Sequence, residues 1–107
     1  MESVHEKNSE VFKALCDPKR LAILQLLRSG EKCACVLMEQ LGMGQSAVSY
    51  HMGILCRSGI VRGRQEGKWV HYSINRIQWE GLLVRLAAIA SGSENGLSCE
   101  CIGREAV

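Results

Sequence analysis

The residues with the clearest chemical potential are six cysteines, four of which form two Cys-x-Cys pairs: Cys33 with Cys35, and Cys99 with Cys101. Cysteines two positions apart would close a strained small ring if they bridged each other, whereas both sulfurs can bind one ion. The first ten residues, MESVHEKNSE, are polar, so we expect no secretory signal and a cytoplasmic location. In that compartment, metal ligands or reactive thiols are better interpretations than a disulfide scaffold.

The length and composition are typical of one folded domain. The chain has 107 residues, of which 47% are hydrophobic and 22% charged, with a formal net charge of +2. This apolar fraction is too high and this net charge too low for a disordered chain. The longest apolar stretch, residues 82–90, contains Arg85 and is far shorter than the ~20 residues that a bilayer requires. No membrane partner is therefore expected.

Positive charge is concentrated in the middle of the chain. Residues 45–76 contain five basic side chains and one acidic one, whereas residues 1–44 contain six of each. Residues 77–107 contain two basic and four acidic side chains. A basic cluster of this kind indicates either a nucleic-acid partner or a solvated surface.

The elements that must position these residues are mainly helices. A first helix is predicted over about residues 3–15, and a second begins with Asp17 as N-cap and Pro18 at the first helical position. A short third helix is predicted over about residues 33–41 and a fourth over about residues 45–57. Gly42-Met43-Gly44 forms a tight turn between them.

The fourth predicted helix has two different faces. Val48, Met52 and Leu55 recur at helical spacing and predict its buried side. The opposite side carries hydroxyls, small groups and no acid: Ser46, Ser49, Tyr50, Gly53 and Arg57. A short helix, a glycine turn and a second helix with such a face indicate a helix-turn-helix.

A basic β-hairpin is predicted next. Residues 60–64 and 68–74 alternate apolar and polar side chains on either side of Gln65-Glu66-Gly67, and they carry Arg62, Arg64 and Lys68. The predicted fold class is therefore mainly α with a small β-hairpin, a winged helix-turn-helix.

The last predicted helix, about residues 78–90, is apolar around most of its circumference. One small domain cannot cover so wide an apolar surface, so we expect a homodimer through the terminal helices. The expected organisation is a DNA-binding and dimerisation domain over residues 1–90 and a flexible cysteine-containing tail over residues 91–107.

Double-stranded DNA is the partner that this arrangement favours, because the start of the second helix of a helix-turn-helix contacts base edges and basic wing residues contact phosphates. Two alternatives remain open: Ser46 could cap its helix, and His51 could pack instead of contacting a phosphate. The predicted DNA-binding residues are Gln45, Ser46, Ser49, Tyr50, His51, Arg57, Arg62, Arg64 and Lys68.

Four segments together resemble the arsenical-resistance repressor family (ArsR/SmtB): DPKRLAILQLLRSGE, KCACVLMEQLG, QSAVSYHMGILCRSGIV and RQEGKWVHYSI. The likeness covers about residues 10–90. It implies a dimeric winged-helix repressor that blocks an operator until a metal or metalloid ion binds and releases it. No organic cofactor is implied.

The same resemblance implies a thiol site. Arsenic- and cadmium-responsive members carry a Cys-x-Cys at the start of the third helix, which Cys33 and Cys35 match, while Met38 stands where some arsenic sensors have a third cysteine. Arsenite or antimonite is thus the favoured inducer. The third ligand is left open and could be Cys99, Cys101, Cys56 or Cys16. Cys99 and Cys101 could instead form a second site with each other.

Helix geometry predicts how this site would signal. Residues two apart on a regular helix point about 200° away from each other, so Cys33 and Cys35 could share an ion only if the helix start unwound. Unwinding would shift the DNA-contacting helix. The helix N-terminus and Lys32 are also predicted to lower the thiol pKa.

The sequence leaves four alternative functions. The thiols could sense oxidation through reversible disulfides, or the inducer could be cadmium or lead. A thiol enzyme is disfavoured because Cys-x-x-Cys and a βαβ context are missing, so no enzymatic activity is expected. A protein-interaction module without DNA is the last alternative, and phosphate contacts by the wing would distinguish it.

Overall fold

Five helices and three strands form the part of the chain that the structure, a computed structural model, describes: residues 3–92. The fold is the expected winged helix-turn-helix. The helices are α1 (Val4–Leu15), α2 (Pro18–Leu27), α3 (Ala34–Leu41), α4 (Gln45–Arg57) and α5 (Arg76–Ser91). The strands are β1 (Lys32–Cys33), β2 (Val61–Glu66) and β3 (Trp69–Ile74).

Side-chain caps set the starts of α1, α2 and α5. Ser3 and Glu6 form a reciprocal capping box at the start of α1, and Asn75 caps α5. At α2, the Asp17 carboxylate accepts the backbone N–H groups of Lys19 at 2.9 Å and Arg20 at 3.1 Å. The predicted Asp17 cap and Pro18 start are therefore confirmed.

The core lies where α4 packs against the other helices and the start of the sheet. Val48, Met52 and Leu55 are each at most 2% exposed, which confirms the predicted buried side of α4. Leu37 is the buried residue of α3. Around these residues the core is completed by Val11, Ala14, Ile23, Leu24, Leu27, Ile60, Val61 and Leu82.

The wing differs from the prediction in its turn and in its strand number. β2 and β3 pair from Val61 with Ile74 to Glu66 with Trp69, so the turn consists of Gly67 and Lys68, not Gln65-Glu66-Gly67. Gly67 has φ +64°, a left-handed conformation that glycine adopts without strain. β1, which the sequence did not predict, pairs antiparallel with β3 and gives the sheet order β1-β3-β2.

Helix α5 leaves most of its apolar side chains uncovered. Leu82 is buried, but Ile77, Leu83, Val84 and Ile89 are each more than half exposed. The helix runs to Ser91, one residue beyond the predicted domain boundary. The rest of the predicted tail, with Cys99 and Cys101, lies outside the described residues. Within residues 3–92, no helix is long and apolar enough to cross a membrane.

Candidate functional site

The two sulfurs of Cys33 and Cys35 meet at the start of α3. Cys33 is the N-cap residue with an extended backbone (φ −69°, ψ 147°), so it lies outside the regular helix. Its Sγ accepts the Cys35 backbone N–H at 3.3 Å and the Cys35 thiol at 2.7 Å. The prediction that the helix must unwind before both sulfurs reach one ion is therefore wrong, because the helical angle of 200° does not apply to a capping residue.

The acidity of Cys35 also differs from the prediction. The pKa of Cys35 is raised, first because its thiol donates a hydrogen bond to Cys33 and second because the group is partly desolvated. Lys32 does not counter this effect, since its Nζ donates to Ser29 Oγ at 2.8 Å and to the Gly30 carbonyl at 3.4 Å. The predicted lowering of the thiol pKa is thus wrong for Cys35.

No third ligand joins the pair within residues 3–92, where no group of three His, Cys, Asp or Glu side chains could hold a metal ion. Cys16 is an exposed thiol and Cys56 is half-buried, and burial raises the pKa of Cys56. Met38 packs against the core. The third ligand stays open, with Cys99 and Cys101 beyond the described residues.

Charged side chains surround the short strand that carries Cys33. Cys33 is paired directly with His71 of β3, and His71 is paired with Arg64 of β2. The Arg64 guanidinium binds both carboxylate oxygens of Glu31, at 2.7 and 3.1 Å, and also binds Glu66 at 3.2 Å. These hydrogen bonds lower the pKa of Glu31. Sequence reasoning missed the pairing, because 33 positions separate Glu31 from Arg64.

The outward face of α4 is open to solvent. Its N-cap is Gly44, and no side chain caps the helix, so Ser46 is not the cap. The first backbone N–H groups of α4 are therefore free of a side-chain partner, which suits an anion such as a phosphate. The predicted DNA-binding side chains on this face are exposed: Gln45, Ser46, Ser49, Tyr50 and Arg57.

The remaining predicted residue of α4, His51, points inward. Its Nδ1 lies 3.1 Å from an Arg20 Nη and 4.0 Å from an Asp17 carboxylate oxygen, and the residue is 9% exposed. A guanidinium can only donate, so Nδ1 is the acceptor and the ring proton lies on Nε2. Arg20 also donates to the Ala14 carbonyl at 2.7 Å and thereby joins α1, α2 and α4. Packing is the role that these contacts support for His51.

The three basic residues of the wing are all exposed, but they are not equivalent. Lys68 lies in the turn at the tip of the hairpin, and Arg62 donates to the Asn75 side chain at 3.3 Å. Arg64 is held by two carboxylates, as described above. Three of its five N–H groups donate to these carboxylates, which leaves two for a phosphate.

Comparisons with known proteins agree with this geometry. The sequence model described as "Bacterial regulatory protein, arsR family" matches residues 17–62. An uncharacterised HTH-type transcriptional regulator of Methanocaldococcus jannaschii is 45% identical over 65% of this chain and 80% of its own length. Two arsenical resistance operon repressors are also similar. The one from Bacillus subtilis is 38% identical over 72% of this chain and 74% of its own length. The one from Staphylococcus xylosus is 33% identical over 90% of this chain and 91% of its own length.

Solved structures share the fold. A crystal structure of an ArsR family transcriptional regulator superimposes with a TM-score of 0.71 and 26% identity, covering 81% of this chain and 90% of that one. The solution structure of a homodimeric winged helix-turn-helix DNA-binding domain from Mycobacterium bovis has a TM-score of 0.68 and 28% identity. It covers 82% of each chain.

Proposed function

Because this chain belongs to the ArsR family of bacterial regulatory proteins, we propose that it is a cytoplasmic, metalloid-responsive transcriptional repressor. It binds operator DNA as a homodimer and is released when arsenite or antimonite binds cysteine thiolates. The observation that carries this proposal is the meeting of the Cys33 and Cys35 sulfurs at the start of the first helix of the helix-turn-helix. The family consists of DNA-binding regulators and not of enzymes.

The donor set fits a soft ion. Thiolates bind soft centres in preference to oxygen ligands, and the 2.7 Å between the Cys33 and Cys35 sulfurs already brings two donors together. One further thiolate would complete a three-sulfur site. Cys99 or Cys101 is the proposed source, from the same chain or across the dimer.

Binding at this pair changes the start of α3. Both thiols must lose their protons to bind an ion, which removes the hydrogen bond between them. Cys33 is also the N-cap of α3, so the sulfur that accepts the Cys35 backbone N–H is the same atom that would bind the ion. α3 packs against α4, and a change at its start therefore reaches the DNA-contacting helix.

The DNA side of the proposal rests on α4 and the wing. Gln45, Ser46, Ser49 and Tyr50 are exposed at the uncapped end of α4 and would contact base edges. The basic residues would contact phosphates, with Arg62, Arg64 and Lys68 on the wing and Arg57 at the far end of α4.

The proposed homodimer forms through the terminal helices. The exposed apolar side chains of α5 and the homodimeric structural neighbour support it. Ile89→Asp should shift the protein toward the monomer in sedimentation, because it places a charge in the proposed contact. Tyr50→Asp, which places the same charge at an exposed position of α4, should leave the dimer intact. Equal effects of the two changes would contradict the dimer face.

The test of the function is a titration of reduced protein on the promoter DNA of its own gene with arsenite, antimonite, cadmium, lead and zinc. Arsenite should weaken binding of the natural chain by about 10-fold or more, within the usual range of allosteric coupling. Cys33→Ser should bind the DNA normally and fail to release it. Cys16→Ser, which alters an exposed thiol outside the pair, should release normally. Retained release by Cys33→Ser would contradict the proposal.

A thiol-redox repressor is the second candidate. A disulfide between residues two apart closes a strained ring, but the two sulfurs lie 2.7 Å apart and a strained disulfide is easily reduced again. When the disulfide forms, a peroxide accepts two electrons and two protons from the thiols, which become a disulfide while the peroxide becomes two waters or alcohols. Release by peroxide, reversed by a dithiol and not reproduced by arsenite, would favour this candidate.

A further inference from the structure

Strand β1 is tied to the wing by both backbone and side chain. Lys32 pairs with Tyr72 and Cys33 pairs with His71, so the backbone of the thiol-bearing strand is part of the wing sheet. One residue earlier, the Glu31 carboxylate binds Arg64 of β2 through two hydrogen bonds. Glu31 therefore reaches past the central strand to the outer one.

The groups concerned lie on one face of the sheet. Directly paired residues in antiparallel strands place their side chains on the same side, so Cys33, His71 and Arg64 form one row across the three strands. Glu31 is two residues from Cys33 and shares its side by the alternation of an extended chain. The thiol site and the wing arginine are thus two ends of one row.

Stability does not account for the pairing of Glu31 with Arg64. Both side chains are well exposed, and ion pairs in such positions contribute little to folding. The two-point geometry of arginine with a carboxylate does, however, fix orientation. What the pair holds in place is the guanidinium of a basic wing residue relative to the strand that carries Cys33.

We propose that Glu31 is a positioning residue for DNA binding: its ion pair with Arg64 couples the thiol strand to the wing, so that inducer binding at Cys33 and Cys35 moves a phosphate-contacting arginine directly. The inference rests on the proposed function and adds a second route, through the sheet, to the one through α3 and α4.

Ion binding changes the contact at the start of this strand. The hydrogen bond between the two thiols would be replaced by two bonds to the same ion, so the Cys33 sulfur must readjust its position. Cys33 belongs to a two-residue strand with only two paired positions. Displacement of such a short strand is passed to Arg64 as long as Glu31 holds it.

Glu31→Gln tests this coupling, and Glu66→Gln is the matched control. Both changes remove one negative charge that contacts Arg64, so their general effects on attraction to DNA are alike. Glu66 also lies 3.5 Å from His71, a contact within the wing hairpin. Only Glu31 links Arg64 to β1, because Glu66 belongs to the wing itself. The quantity measured is the ratio of the promoter-DNA Kd with arsenite to the Kd without it, alongside the number of arsenite ions bound.

We expect Glu66→Gln to keep the ratio of the natural chain and Glu31→Gln to lower it by about 5-fold or more, with arsenite still bound. If the natural chain releases DNA and the two variants have equal ratios, the coupling is overturned while the proposed function stands. If the natural chain does not release DNA with arsenite, the proposed function fails and this inference falls with it.

Discussion

The two helices of the helix-turn-helix begin in opposite ways. α3 begins at Cys33, whose sulfur accepts two hydrogen bonds and whose backbone is paired with β3. α4 begins at Gly44 without a side-chain cap, and the outward side chains that follow are exposed. At the start of α3 the capping sulfur accepts one backbone N–H, whereas the first backbone N–H groups of α4 have no side-chain cap and are left for water or another molecule.

The two helices also differ in how many residues they bury, and here α4 is the one with more contacts inside the chain. α3 has one buried residue, Leu37, while α4 has four, including His51 with its bond to Arg20. α4 is therefore packed against the core along more of its length than α3 is, and its opposite side faces solvent. α3 depends more on the strand before it, which suits a segment that responds to a ligand and transmits the change.

The largest expected effect that tests this comparison is on DNA affinity. Gln45→Ala, at the start of α4, should weaken binding to the promoter DNA by about 10-fold or more, since a base contact contributes about 1–3 kcal/mol. Gln40→Ala makes the same change at an exposed position of α3 and should leave the Kd unchanged. Fluorescence anisotropy measures both. Equal Kd values for the two variants would remove the distinction between the helix starts.

A smaller effect is expected on the acidity of one thiol. The Cys33 sulfur raises the pKa of Cys35 by accepting its proton in a hydrogen bond, so Cys33→Ala should lower the pKa of Cys35 from its raised value toward 9.0. Alkylation of Cys35, followed by mass spectrometry over a pH series, should then reach its midpoint at a lower pH.

The control for this change is Cys16→Ala, which alters a thiol that does not contact the pair. It should leave the alkylation midpoint of Cys35 where it is in the natural chain. A midpoint that does not move in Cys33→Ala would mean that the contact between the two sulfurs does not set the acidity at the start of α3.

Features that depend on residues close together in the chain, such as helix bounds and caps, were predictable from the sequence. The spacing of Val48, Met52 and Leu55 gave both the extent of α4 and its buried side. Asp17 followed by Pro18 marked the start of α2, because a carboxylate cap and a preset φ act within one turn. The basic wing was also recognisable, although its turn lies at Gly67-Lys68, later than expected.

Contacts between distant residues were not predictable in the same way. The hydrogen bond between Arg20 and His51 joins positions 31 apart, and neither residue type indicates from the sequence that the two side chains are buried together. β1 has two residues, too few to show an alternating pattern. The pairing of Glu31 with Arg64 likewise depends on how the wing folds back over the chain.

The amino-acid order alone determined which residue types could bind DNA and a soft ion, because periodicity, caps and Cys-x-Cys spacing are local properties. The convergence of Cys33 and Cys35 was decided by the tertiary structure. Pairing of β1 with β3 draws Cys33 into an extended conformation, which turns its sulfur toward Cys35 where a helical residue would have turned away.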